Sequence, residues 1–486
     1  MLMSDNGAVQ DDRALANEVL DESLFSKARL SRDPRFDGRF FGAVKTTGIF
    51  CRPICPARLP KEENVTYFEH ATQAMAQGYR PCFRCRPDSA PRSAAWKGVG
   101  ATVSRALSLL SAIPIESVSD IACRLGISER YLNKLVVNAV GISPKQFQNM
   151  QRALFAKQLI QQTHLSMTDV SVTAGYQSLR QLQRAMEQYC ATSPTQLRKK
   201  QCAEQKTISL FLSYRPPYNW YNVRDFLATR AIEGMEHVTE NSYQRYFSNQ
   251  SCVGFFKAVH DEARCGFNVH IDMPNLSSLH NVIENIKLVL DLHADPLLIE
   301  QSLMQAGLSK KQLTSGLRLP SAWSVFESGC RAIVGQQVSV KAAIGQVTLL
   351  VHQLGERVSN VVSSQASDTE AGERYSFPTP EAVVGNSLNF LRMPQARKNA
   401  LRSFAQLFVG DNMPAHEDIL AIKGVGPWTL DYLKMRGERN PDIYLGGDLI
   451  VRKIAQQFPI EPEKAAPWRS YLTLQLWQLS NQQKES

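Results

Sequence analysis

The hydrophobic pattern changes character several times along the chain, and each change predicts a different kind of unit. Residues 21–92 carry no sustained apolar period; aromatics sit among Arg and Cys, and so few aliphatics need a staple to hold a core. From 97 to 200 apolar positions recur at helical spacing, and the pattern repeats once. The copies are SVSDIACRLGISERYLNKLVVNAVGISPKQF and MTDVSVTAGYQSLRQLQRAMEQYCATSPTQLR. Each predicts a short helix, a turn at Gly126 or Gly175, a second helix and a Ser-Pro stop at Pro144 or Pro194, hence a tandem helix-turn-helix. Between 207 and 292, β-rich runs such as ISLFLSY and CGFNVHI mix with helical stretches and predict a small α+β unit. Residues 293–486 read as helical, interrupted by VSSQASDTEAGERYSFPTP, which is expected to be an exposed insertion. The expected class is multidomain and mainly α, with residues 1–20 a polar tail.

Length agrees with that division, since 486 residues exceed what one core organises. With 43% hydrophobic and 21% charged residues and no apolar run of about 18, no bilayer span and no membrane partner are expected. The opening MLMSDNGAVQDDRALANEV is polar and acidic, unlike a secretory signal, so the expected location is the cytoplasm. A net charge of +10 and a pI near 9.1 favour a polyanionic partner, although many basic proteins bind no nucleic acid.

Four of the ten cysteines are clustered as C-x3-C-x26-C-x2-C, at Cys51, Cys55, Cys82 and Cys85. Two close pairs joined by an intervening chain suit a tetrahedral thiolate site for Zn²⁺; buried free thiols are the alternative, and a reducing compartment disfavours disulfides. Cys123, Cys190, Cys202, Cys252, Cys265 and Cys330 are scattered, as buried thiols usually are. Around the cluster, Arg52, Arg58, Lys61, Arg80, Arg84, Arg86 and Arg92 form either a solvated face or phosphate contacts. The segments TTGIFCRPICPAR, ENVTYF and GYRPCFRCRPD resemble the methyl-acceptor domain of Ada-type repair regulators. The resemblance implies one reactive Zn²⁺ on the four thiolates, with Cys51 taking a methyl group irreversibly from a DNA phosphotriester. Zinc keeps a sulfur as the nucleophilic thiolate at neutral pH. Methylation would take the site from −2 to −1 and so ease its approach to DNA phosphate.

Helix-turn-helix units place their second helix in the major groove, here Ser128–Val140 and Ser178–Tyr189; a helical linker or protein-interaction module is the alternative. The segment GYQSLRQLQRAMEQYCATSPTQLR resembles AraC-type transcription regulators, departing at Leu182, usually Phe, and Ala191, usually Gly. This implies a promoter operator and RNA polymerase as partners, with Arg130, Asn133, Lys134, Arg180 and Arg184 as candidate base readers.

In LAIKGVGPWTLDYL, Gly424-Val425-Gly426 joins two helical stretches and leaves backbone N–H groups free to hold a DNA phosphate, unless it is a plain helix-helix turn. In DIYLGGDLIVRKI, Asp448 opens an apolar helical run and reads on its own as an N-cap. Together with YRPPYNW, FLATRAIEGME, LRLPSAWSVFESGCRAIVGQQVSV and PWRSYLTLQLW, these segments resemble the AlkA type of helix-hairpin-helix DNA glycosylase. The resemblance implies an all-α glycosylase domain acting on alkylated purines such as 3-methyladenine in double-stranded DNA. Asp448 takes the catalytic position; Phe226, Trp428, Tyr432 and Trp477, which otherwise read as core, line the base pocket; Gly424 and Gly426 contact the backbone. A monovalent cation binds the hairpin carbonyls in relatives, and the sequence permits one. Two departures are Gln337 at the wedge position, where an apolar residue is usual, and Gly447 in place of an acid. Trp428 stands where lyase-active relatives carry Lys, so Schiff-base strand cleavage is not expected, and no Pro-Cys-His-Arg motif for O6-methylguanine reversal is present. Two competing classes are an activator with a degenerate glycosylase half, and a structural DNA-binding protein, which leaves Cys51 and Asp448 unexplained.

Overall fold

The computed structural model describes residues 22–85, 87, 101–198, 208–249, 252–358, 373–410 and 413–485. The N-terminal tail, Arg86, Arg92, Cys202 and most of the Ser/Thr-rich interruption lie outside them. Among the described residues no helix is long and apolar enough to cross a membrane.

The cysteine-rich unit holds α1 (Glu22–Leu30), β1 (Phe41–Val44), β2 (Ile49–Cys51), β3 (Val65–Phe68), α2 (Ala71–Ala76) and β4 (Arg80–Pro81). Its sheet runs β3-β1-β2-β4, antiparallel except for the β2–β4 pair. Strands of two to four residues are too short to write an alternation into the sequence, so this sheet had no readable pattern. Phe41, Ala43 and Phe50 share one buried cluster with Val103, Leu107, Leu132 and Val136, so the module leans on its helical neighbour for a core.

That neighbour contains α3 (Ala101–Ser111), α4 (Val118–Arg124), α5 (Glu129–Val140), α6 (Pro144–Gln162), α7 (Met167–Thr173), α8 (Leu179–Cys190) and α9 (Pro194–Leu197). The pairs α4/α5 and α7/α8 flank the long α6. Ser117, Ser128, Ser166 and Ser178 each cap a helix of these pairs through the side-chain oxygen, satisfying an otherwise orphaned N–H. The two Ser-Pro pairs differ from the sequence reading: Ser143 and Ser193 start α6 and α9 as caps, with Pro at the first turn and a capping box from Gln146 or Gln196. The repeat ends unevenly. Gly141 closes α5 at φ 76°, whereas Ala191 closes α8 at φ 50°, forcing a Cβ into the left-handed region.

The third unit is a five-stranded antiparallel sheet, β5 (Ile208–Ser213), β6 (Glu236–Val238), β7 (Ser242–Asn249), β8 (Cys252–Asp261) and β9 (Gly266–Asp272), in the order β5-β9-β8-β7-β6. Helices α10 (Trp220–Ala228) and α11 (Leu279–Val289) accompany it. Leu210, Leu212 and Ile283 share one core with Phe155, Leu159 and Ile160 of α6, so regulator-like and sheet units are packed together.

The rest is helical: α12 (Pro296–Gln305), α13 (Val325–Val334), α14 (Val340–Leu354), α15 (Pro380–Val384), α16 (Gln395–Leu407), α17 (His416–Leu420), α18 (Pro427–Arg436), α19 (Leu449–Ala455) and α20 (Arg469–Glu485). A buried ion network joins it to the sheet: Arg245 of β7 contacts Glu236 and Glu327, and Arg331 contacts the same two carboxylates. The returning end of the Ser/Thr-rich interruption is not exposed as expected. Tyr375 is buried, donates its N–H to Gly234 O at 3.0 Å and stacks on His352, so aromatic packing pulls it in.

The strain at Ala191 yields a prediction. Ala191→Gly relieves the left-handed Cβ and should stabilise the helical unit by about 1 kcal/mol, enough to raise the denaturant midpoint measurably. The matched Gly141→Ala change should lower stability by a similar amount in equilibrium unfolding.

Candidate functional site: a thiolate centre and a carboxylate between two indoles

At the first site, β2 and the parallel β4 bring the two cysteine pairs together; Cys51 ends β2, and Cys82 N–H donates to Phe50 O at 3.0 Å. The four sulfurs lie within 4.8 Å of one another, with Cys55 and Cys82 4.0 Å apart. A tetrahedron of roughly 2.3 Å metal–sulfur bonds has edges of about 3.8 Å, so the donors fit Zn²⁺. The sulfurs also set each other's protonation. Contact with Cys51, opposed by Cys82, brings Cys55 down to about 7, and contacts with Cys51, Cys55 and Cys85 lower Cys82, while the same mutual contacts raise Cys51 and Cys85, so without a cation the four sulfurs do not ionise together. Thiols held down in this way supply the anionic donors that a metal takes. Arg52 N–H donates to Cys85 Sγ at 3.4 Å, a bond that favours thiolate. Cys51 is half-exposed while the other three are buried, so it is the sulfur that an outside electrophile can reach.

The candidate readers Arg130, Asn133, Lys134, Arg180 and Arg184 are all exposed on α5 and α8, on the faces opposite buried Leu132, Val136, Leu182 and Met186. Among the remaining described cysteines, Cys123 departs from the buried-thiol expectation: it is exposed on α4, on the face away from Ile121 and Ala122.

At the second site, Asp448 is the N-cap of α19, its Oδ1 accepting from Ile450 N at 3.0 Å and Val451 N at 3.1 Å. Its cap role and its position in the pocket coexist. Trp477 Nε1 donates to Oδ1 at 3.2 Å and Trp428 Nε1 to Oδ2 at 3.3 Å. Four N–H donors therefore face one carboxylate and fix its orientation. Trp428 stacks on Tyr432 with centroids 5.4 Å apart, and Phe226, Trp428, Tyr432 and Trp477 all pack, half-buried, against the same core.

The charges around these rings were not foreseen from sequence. Arg230 lies 3.8 Å and Arg436 4.4 Å from the Phe226 ring centroid. Burial pushes Arg436 down to about 10. Burial would raise the Tyr432 phenol, but the charges of Arg436 and Arg230 outweigh it and leave it below its ordinary value.

Of the hairpin glycines, only Gly424 needs its freedom, at φ 96°. Gly426 has φ −109°, open to any residue, and serves as the N-cap of α18. Gln337 is exposed on the turn between α13 and α14 at φ 57°, a strained conformation for a side-chain-bearing residue. Sequence reading missed its neighbour Gln336, whose amide donates to Gly424 O at 2.9 Å and Thr429 Oγ1 at 3.0 Å and ties that turn to the hairpin.

Residues 25–88 match the family described as the metal binding domain of Ada, 104–200 a helix-turn-helix domain, and 209–324 the AlkA N-terminal domain. The chain is 32% identical to a "Probable bifunctional transcriptional activator/DNA repair enzyme AlkA" of Mycobacterium tuberculosis, over 93% of this chain and 95% of that protein. It is 30% identical to "DNA-3-methyladenine glycosylase 2" of Escherichia coli, over 55% of this chain and 95% of the relative. It is 38% identical to the "Bifunctional transcriptional activator/DNA repair enzyme Ada" of Escherichia coli, over 26% of this chain and 34% of that one.

The thiolate geometry predicts that purified full-length protein carries one zinc ion and that chelation frees four further thiols to a thiol reagent under native conditions. It also predicts a lower thermal transition for the first unit. A metal-free preparation with an unchanged transition would exclude a structural tetrathiolate.

Proposed function

The chain belongs to the family of bifunctional AlkA-type transcriptional activator and DNA repair proteins, and we propose that its two sites carry out two repair reactions on alkylated DNA. At the second, it is a DNA glycosylase of the 3-methyladenine type, hydrolysing the bond between sugar and alkylated purine. At the first, it accepts a methyl group from a backbone phosphotriester and, through α5 and α8, binds a promoter operator. RNA polymerase is the further partner of that activity, in the cytoplasm.

The observation that carries the glycosylase reading is the Asp448 carboxylate held between two indole N–H groups at a helix N-terminus. An alkylated purine bears positive charge and is already a good leaving group. Flipped from the duplex, it stacks on the faces of Trp428, Tyr432 and Trp477, with a cation–π contribution of about 0.5–2 kcal/mol. As the glycosidic bond breaks, its electron pair leaves with the base and positive charge develops on the sugar. The Asp448 carboxylate, already oriented by four N–H donors before the substrate arrives, stabilises that charge without rearranging, and water completes the hydrolysis. Gln336 holds the turn bearing Gln337 against the hairpin, so the wedge position and the backbone grip of Gly424 move as one. A degenerate glycosylase half would have no reason to keep carboxylate, both indoles and Tyr432 in register.

At the thiolate centre, bound zinc would hold the sulfurs deprotonated at neutral pH. Cys51, the half-exposed sulfur, attacks the methyl carbon of the phosphotriester; the S–C bond forms, the C–O bond breaks, and the electron pair leaves on a phosphodiester oxygen.

Asp448→Asn keeps an oxygen for Ile450 and Val451 but replaces the oxygen facing Trp428 with an N–H donor. Because that donor faces the Trp428 N–H, the substitution should cost about 1 kcal/mol in equilibrium unfolding while lowering 3-methyladenine release from alkylated duplex by about 10²–10³ in single-turnover rate. Unchanged release would reduce Asp448 to a cap and favour the activator reading. Separately, peptide mass spectrometry after incubation with a methylphosphotriester duplex should find a single methyl on Cys51, and Cys51→Ser should keep its glycosylase activity. A methyl on Cys55, Cys82 or Cys85 would reassign the acceptor.

A further inference from the structure

The residue that follows Cys51 in the chain is also part of a buried contact with the glycosylase half. The Arg52 guanidinium pairs with Asp37, its Nε 2.7 Å from Asp37 Oδ1, and both side chains are almost fully buried. The same guanidinium donates to Cys85 O at 3.1 Å, beside a zinc ligand, and to Ser213 Oγ at 3.4 Å, at the end of β5. Asp37 reaches the other half as well: its carbonyl accepts from Arg215 Nε at 2.7 Å, and Arg215 NH1 goes on to His293 O at 2.8 Å. Two residues beyond Asp37, Arg39 makes a buried ion pair of 3.1 Å with Asp295, the N-cap of α12. The thiolate centre, the sheet domain and the start of the helical domain thus meet at one dry cluster of three arginines and two aspartates.

Buried ion pairs specify one arrangement and tolerate a change in charge poorly, because removing one charge leaves the others uncompensated. Arg52 bridges the two: its guanidinium pairs with Asp37 and donates to the Cys85 carbonyl, and its backbone N–H donates to the Cys85 sulfur. Methyl transfer takes one negative charge from that centre: the new S–CH3 bond replaces the C–O bond of the phosphotriester, and the electron pair leaves with the phosphodiester. We propose that Arg52 relays this loss into the interface, so that methylation of Cys51 loosens the docking of the zinc-binding module on the glycosylase half. The proposal rests on Cys51 being the acceptor. The unmethylated chain is the docked state; the methylated chain releases Asp37 and Asp295 to solvent.

Carboxylate labelling of the zinc-loaded full-length protein with a water-soluble carbodiimide and an amine, read by peptide mass spectrometry, tests this directly. Before methylation, Asp37 and Asp295 should label at least tenfold more slowly than exposed Asp120. After reaction with a methylphosphotriester duplex, the methyl should appear on Cys51, zinc should remain bound, and labelling of both aspartates should rise about tenfold. A methyl on Cys51 with unchanged labelling of Asp37 and Asp295 overturns the relay. A methyl elsewhere or nowhere overturns the acceptor assignment and the relay with it, and the site of the adduct tells the two failures apart. Asp37→Asn, which leaves the cysteines untouched, should label Asp295 rapidly without any methylation; slow labelling in that variant also overturns the proposal.

Discussion

The guanidinium of Arg215 is fully buried and donates to backbone carbonyls from two other parts of the chain, Asp37 on one side and His293 and Ala294 on the other. Arg318, equally buried, continues the chain of contacts by donating to Arg215 O and Pro217 O. Burial lowers the affinity of Arg215 for the proton, to about 10, and the nearby charges of Asp295 and Asp37 oppose that loss, while the carbonyls satisfy its N–H groups. Any displacement of the first module, the sheet or the first helices of the last domain would strip it of partners. The relative placement of the units therefore follows from one desolvated charge as much as from the shared apolar cores.

On the proposed reading, the surroundings of Asp448 turn a structural device into a chemical one. An Asp at a helix start is among the commonest caps, and nothing about α19 itself would distinguish this one. What distinguishes it is the approach of α18 and α20, whose indole N–H groups close on the same carboxylate. The cap and the two indoles fix the rotamer, and Gly447, with nothing within 4 Å of where a Cβ would lie, leaves the approach open.

How much of this could be read from residues alone depended on how local the signal was. The cysteine spacing and the two helix-turn-helix units are written within a few dozen residues, and those elements form where the signals stand, although the Ser-Pro pairs read as stops are helix starts. The oddity of Ala191 was visible as a departure, and the left-handed backbone gives it a physical meaning. Signals that depend on distant partners were silent: Asp448 meets indoles 20 and 29 residues away, and Asp37 meets Arg215 178 residues away. The short strands around the thiolate centre left no alternation to detect, and the partners of Gln336, Gly424 and Thr429, lie 88 and 93 residues away.

One chain carries a sulfur that reacts once and a carboxylate that is regenerated at every turnover. On the proposed reading, each molecule is both a tool and a one-bit record: Cys51 registers that damage was met, and the mark lasts as long as the polypeptide, while Asp448 continues to work. The fraction of marked chains in a cell then counts past exposure, and that count fades only by dilution through growth and by degradation. A cell built on this protein would inherit its recent history of alkylation along with its cytoplasm.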